Sequence, residues 1–235
     1  MEKYLEETRM LNYSEKSIQA LISKRKWKEL DEFNRIKEIY NYVRDEIAFG
    51  YNKDDDISAT KVLSDGYGQC NTKGTLFMAL LRACGIPCRI HGFTIDKKLQ
   101  KGAMTGIVYK NAPENIFHSW VELLFEEKWY ELEAFILDSR YLNNLQKIHS
   151  DCVGAFCGYG VAVRDFANPV IEWNRNNTYI QSEGINQDFG VYNSPDELLK
   201  EHSQEMGSFK RFLYRHLGRR LMNKNIKKIR NKAIK

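Results

Sequence analysis

Between residues 70 and 132 the apolar pattern changes from a helical period to an alternating one, and that switch decides the fold class. Leu76, Phe77, Leu80, Leu81 and Cys84 recur at three- and four-residue steps, so Asn71 to Cys84 is expected to be a helix. Gly85 supplies its C-terminal stop, and Pro87 follows shortly after. Pro87 to Phe93 then reads as a strand, with Cys88, Ile90 and Gly92 on one face and Arg89, His91 and Phe93 on the other. Phe117 to Phe125 and Lys128 to Leu132 form a hairpin around Glu126-Glu127, and Met104 to Lys110 is expected to add another strand. A helix followed by sequential strands predicts an α+β fold with an antiparallel sheet.

Helices flank this centre. Phe33, Ile36, Ile39, Tyr40 and Val43 mark a buried stripe from Asp31 to Asp45. Residues 1–30 read as polar helix, and Ser58 caps a short helix to Leu63. Asp54-Asp55-Asp56 reads as a solvated loop, because it lacks the Gly and distal Glu of a calcium loop. Residues 138–193 mix Asn, Gly and aromatic residues without a legible period. Ser194-Pro195-Asp196-Glu197 is a capping box that opens a helix to about Met206. Ser208 is expected to cap another, with Phe209, Phe212, Leu213, Leu217 and Leu221 as its apolar stripe.

A chain of 235 residues with 43% apolar side chains can bury a substantial core. It has no run of apolar residues long enough to span a bilayer, and Met1 to Glu7 is charged, so a soluble cytoplasmic protein is expected. Five cysteines, an odd number at irregular spacing, point to free thiols rather than a disulfide framework. No His/Cys pair stands at finger-like spacing, so neither a metal nor a cofactor is expected. The net charge of +5 is uneven: Gly207 to Lys235 holds eleven Lys and Arg and no acid. That leaves 25 basic against 31 acidic side chains in residues 1–206, about −6 net. Three roles stay open for this tail: a helix docked on the acidic body by its Phe212/Leu213/Leu217 stripe, contact with an anionic membrane surface, or nonspecific nucleic-acid contact.

Cys70 ends Gly66-Tyr67-Gly68-Gln69-Cys70 and opens the expected helix. An ordinary thiol, with a pKa near ~8.5, is mostly unionised at neutral pH. A helix N-terminus and a nearby imidazolium both favour the thiolate. The glycines let the chain turn sharply and let a substrate approach the backbone. The Cys70 N–H can help hold an oxyanion, and Gln69 and Tyr67 are further candidate donors by proximity. His118 opens a strand face shared with Trp120 and Glu122. If Glu126-Glu127 is a tight turn, Glu133 lies opposite Trp120 and diagonal to His118, where its carboxylate can receive the imidazole N–H. Trp120 is weighed as substrate platform or hairpin core, as is Trp129. Arg82 and Arg89 read as structural ion-pair partners.

Gly68-x-Cys70, Leu80-Leu81-Arg82-Ala83-Cys84-Gly85-Ile86-Pro87-Cys88-Arg89, His118-Ser119-Trp120-Val121-Glu122 and Trp129-x3-Glu133 together resemble the transglutaminase-like superfamily. The resemblance covers about residues 35–137. It implies a papain-like fold with Cys70 as nucleophile, His118 as general base and acid, and Glu133 where the family carries its orienting Asp. Asp138 is a backup carboxylate at unmatched spacing. The implied organisation is a helical extension over 1–34, a catalytic domain over 35–193 and a basic helical extension over 194–235. The implied activity is hydrolysis of a protein, peptide or amide substrate through a thioester. Acyl transfer to an amine and an inactive interaction module are the alternatives, and the oligomeric state is open.

Overall fold

The computed structural model describes residues 1–232, so the last three residues of the basic tail lie outside the described residues. The elements run α1 (Lys16–Arg25), α2 (Glu32–Asp45), β1 (Ala48–Phe49), α3 (Ala59–Asp65), β2 (Tyr67–Gly68), α4 (Cys70–Ala83), β3 (Cys88–Asp96) and α5 (Gly106–Asn111). They continue with β4 (Asn115–Phe125), β5 (Lys128–Leu132), α6 (Ser139–Ile148), β6 (Phe156–Gly158), β7 (Val161–Val163) and β8 (Ile185–Tyr192). Three helices close the chain: α7 (Pro195–Glu201), α8 (Ser208–Leu213) and α9 (Arg219–Asn231).

The fold is α+β, with an antiparallel sheet in the order β5-β4-β3-β8. Helix α4 is buried from Cys70 to Arg82, which makes it the centre of the molecule rather than a surface helix. Its Gly74 lies against Val121 of β4, and α2 and α3 cover other sides. The β3–β4 ladder pairs Phe93 with His118, His91 with Trp120 and Arg89 with Glu122, setting these six on one face. Phe125 pairs with Lys128, so Glu126 and Glu127 form the tight turn. Both adopt positive φ, 48° and 62°, the twist that a hairpin of this loop length favours.

Several expectations are corrected. Met104 to Lys110 is not a strand but loop and α5, because β4 and β8 already occupy both edges of β3. Residues 1–14 form one short turn and irregular chain instead of a helix: Asp196 accepts from Thr8 Oγ1 at 2.5 Å and from the Met10 N–H, while Met10 and Leu11 are buried. Helix α7 stops at Glu201, where His202 leaves the helix to stack on Phe189. Ser208 is the first residue of α8, and no side chain caps that helix. Arg82 makes no ion pair among the described residues; its guanidinium donates to the carbonyls of Glu6, Cys88 and Asn193. Arg89 does pair, with Glu122 at 2.6 Å, while lying over the Trp129 ring.

The tail helix is docked, but not by the expected stripe. Met222, Ile226 and Ile229 are buried, whereas Phe209, Phe212, Leu213, Leu217 and Leu221 are exposed. Polar anchors complete the attachment. Asn223 bonds both the N–H and the carbonyl of Tyr51, and Asn225 donates to the Gly102 and Ala103 carbonyls. A five-residue π-helical segment, Tyr214–Gly218, joins α8 to α9. Among the described residues no helix is long and apolar enough to cross a membrane.

Lys73 is wholly buried beneath the start of α4, donating to the Arg44 and Ile136 carbonyls at 3.1 and 3.0 Å. Burial pulls its pKa from 10.5 down to about 7. The unfolded chain therefore binds more protons than the folded one between those values, so stability rises with pH across that window. Lys73→Met is expected to flatten this rise, roughly 5 kcal/mol in full, in urea-unfolding midpoints taken at increasing pH.

Candidate active site

The approach to Cys70 is shaped by close packing within the chain. Gly66, at φ +68°, ends α3 in the left-handed conformation that glycine favours. At Gly68 a Cβ would stand 2.6 Å from Thr72 Oγ1 and 2.9 Å from Lys73 Cγ. This glycine therefore makes room for helix α4 itself rather than for a substrate. Gln69 is the N-cap and Cys70 the first helical residue, with its side chain buried at the positive end of α4.

His118 and Glu133 are both fully buried. His118 Nε2 lies 2.7 Å from Glu133 Oε1. The other carboxylate oxygen accepts the backbone N–H groups of Ile180 and Gln181, each at 2.7 Å. Glu133 stands one residue beyond β5, and its own N–H donates to the Thr178 carbonyl. The segment that clamps the carboxylate thus comes from the stretch without legible pattern. His118 Nδ1 is buried and free of any conventional hydrogen-bond partner among the described residues. Burial disfavours the imidazolium, but the neighbouring Cys70 sulfur and Glu133 outweigh it and hold His118 well above the usual histidine range. A base with one nitrogen tied to a carboxylate and the other free beside a thiol has the geometry of a proton-transfer relay.

The remaining candidates divide. Gln69 is spoken for: its Oε1 accepts the Asn52 N–H at 2.9 Å and its Nε2 donates to Asp55 at 2.8 Å. Tyr67 lies against Gly50, and Trp120 is buried between Phe93, His91 and Tyr179. Neither Tyr67 nor Trp120 lines the cleft that holds Cys70. Asp138 does not approach His118; it caps α6 and pairs with Arg230 at 2.6 Å. The Asp54-Asp55-Asp56 run is not simply solvated. Asp54 pairs with Arg215, Asp56 with Arg9, and Asp55 tethers Gln69, the N-cap of α4.

Cys70 opens into a cleft of about 1090 Å³. Its wall includes Tyr51, Gln100 and Gln181. The buried Tyr51 hydroxyl donates to Gln100 Oε1 at 2.6 Å, fixing the amide. Helices α5 and α8 also stand on the wall, with Ile107, Val108, Phe209 and Leu213 beside Asn111, Lys210 and Arg211. Gln100 carried no motif signal, since its importance arises from a partner 49 positions away.

Residues 20–134 match the family model described as transglutaminase-like superfamily. Among curated proteins, the uncharacterized protein YebA of Bacillus subtilis (strain 168) is 29% identical over 111 residues, 43% of this chain and 15% of YebA. The chain therefore spans about 15% of the length of that relative. Among solved structures, a proposed cysteine protease from Cytophaga hutchinsonii is 14% identical, covering 83% of this chain and 47% of its own, with a TM-score of 0.47. Red sea bream transglutaminase is 18% identical, covering 56% and 25% respectively, with a TM-score of 0.31. The family match takes in the whole of α4, β3, β4 and β5, with Cys70, His118 and Glu133 among them, and by that match residues 20–134, just under half of the chain, are a transglutaminase-like superfamily segment.

Proposed function

We propose that the chain is a cysteine-dependent amide or peptide hydrolase, with Cys70 as nucleophile, His118 as general base and acid, and Glu133 as orienting carboxylate. The observation that carries this reading is the free, buried His118 Nδ1 beside Cys70, with Nε2 held by Glu133. His118 takes the thiol proton of Cys70, and the sulfur attacks the acyl carbon. The C–N bond then breaks as His118 gives its proton to the departing amine, leaving a thioester. His118 next takes a proton from water, whose oxygen displaces the sulfur and releases the acid. An amine in place of that water gives acyl transfer from the same intermediate. The Cys70 N–H and the Gln100 amide are the proposed oxyanion donors; the Tyr51 bond to Gln100 Oε1 supports the latter by turning Nε2 free.

Alkylation by iodoacetamide followed by peptide mapping tests this directly. Cys157 is exposed and Cys152 half-buried, so simple access favours them. An activated Cys70 should nonetheless label first, about 10-fold or more faster near pH 6.5, where ordinary thiols are protonated. Labelling of Cys157 with Cys70 left intact would overturn the proposal. Gln100→Leu should lower kcat about 10²–10³-fold yet leave alkylation unchanged, because displacement at a saturated carbon forms no oxyanion.

A further inference from the structure

Helix α8, the π-helical segment and the first turn of α9 expose Phe209, Leu213, Leu217 and Leu221, although α9 buries Met222, Ile226 and Ile229 farther on. Four apolar side chains displayed in one row mark a contact surface. These residues line the cleft that contains Cys70, with Ile107 of α5 also on its wall and 73% exposed. The helix is fixed in that position. Tyr214 donates to the Asn52 carbonyl at 3.0 Å and Arg215 pairs with Asp54, both on the loop between β1 and α3, whose Asn52 and Asp55 bond the N-cap of α4.

We propose that this cleft receives a long alkyl chain, so that the acyl donor attacked by Cys70 is a long-chain fatty acyl amide or ester. The inference rests on the reading of Cys70 as an acyl-transfer nucleophile. Volume agrees, since about 1090 Å³ is at the upper end of small-molecule sites. The wall decides between an alkyl chain and an apolar peptide. An extended peptide needs backbone partners along its length, normally a free strand edge. The outer wall here is built of α5, α8, the π-helical segment, the start of α9 and the loop after α7, and neither edge strand of the sheet, β5 or β8, lines the cleft. An alkyl chain needs no such partners and gains from each buried methylene.

The test uses alkyl chloromethyl ketones of increasing chain length against the full chain, with iodoacetamide as a chain-free reference. Wild type should be inactivated at Cys70 about 100-fold faster per mole by a fourteen-carbon ketone than by a two-carbon one. Leu213→Asp with Leu217→Asp should reduce that ratio to below about 10. Both side chains are exposed, so an unchanged melting temperature verifies the fold. Binding of a palmitoyl amide to Cys70→Ala, weakened by the same pair of substitutions, gives an independent reading. Iodoacetamide labelling of Cys70 without any dependence on chain length would overturn the chain site while leaving the hydrolase reading intact. Absence of Cys70 labelling by every reagent would remove both. Equal protection of Cys70 by an apolar hexapeptide and by palmitoyl amide, or dimerisation abolished by the Asp pair, would also overturn it, in favour of a peptide or a second copy.

Discussion

Glu133→Gln is expected to lower turnover about 10³–10⁴-fold, against a loss of about 10⁶-fold for Cys70→Ala. The difference follows from what surrounds the carboxylate. All three of its partners, His118 Nε2 and the N–H groups of Ile180 and Gln181, are positioned to donate. A carboxylate satisfies all three, but an amide presents only one accepting end. If the Gln oxygen stays on the two backbone groups, its NH2 faces His118 Nε2. The imidazole must then accept at Nε2 and carry its proton on Nδ1, the nitrogen needed as base toward Cys70. The protein should fold, because the side chain keeps its shape and its backbone bonds. The distinguishing measurement is iodoacetamide reactivity at Cys70 against pH. A tautomer trap slows alkylation near neutrality and restores it at higher pH, where the thiol ionises without help. Equal turnover in variant and wild type would sink the role given to Glu133.

The site's principal contact was legible because it depends on local spacing. The Glu126-Glu127 turn fixes the β4–β5 register, and one residue past that ladder Glu133 meets His118. Cys70 at the start of α4 was legible for the same reason: the apolar period, Gly85 and Pro87 bound the helix on sequence grounds alone. What escaped is nonlocal. Strand β8 has no clean alternation because it is half exposed and breaks register against β3 at Gly92/Phe93 and Thr94/Ile95. The clamp on Glu133 is made of main-chain N–H groups, which every residue but proline carries and no motif announces. The tail misled because its strongest apolar stripe is not its anchor. Asn223, Asn225 and Arg230 hold it, and polar residues at helical spacing ordinarily read as solvent-facing.

Arg230 is where that anchorage carries its largest energetic consequence. Its guanidinium forks onto Asp138, with Nε at 3.0 Å from Oδ1 and Nη2 at 2.6 Å from Oδ2, and Nη2 also donates to the Phe49 carbonyl at 2.6 Å. Asp138 additionally accepts the N–H groups of Phe49 and Tyr141, tying α9 to β1 and α6 at one point. Both side chains are mostly buried, so Arg230→Met leaves a carboxylate in low dielectric without its countercharge. The expected cost is about 3–5 kcal/mol, a fall of roughly 10 °C in melting temperature. Burial raises the Asp138 pKa, but Arg230 and the two N–H groups more than offset it, leaving the carboxyl below its ordinary range. Its contribution is therefore present above about pH 4 and is lost as the pH falls further. In Arg230→Met the same carboxyl is easier to protonate, so the gap in stability from wild type should narrow in acid. A gap that stays constant from pH 7 to pH 3 would show that Arg230 acts by packing alone. Arg230→Lys should recover only part of the loss, because an ammonium cannot fork onto both carboxylate oxygens and reach the Phe49 carbonyl together.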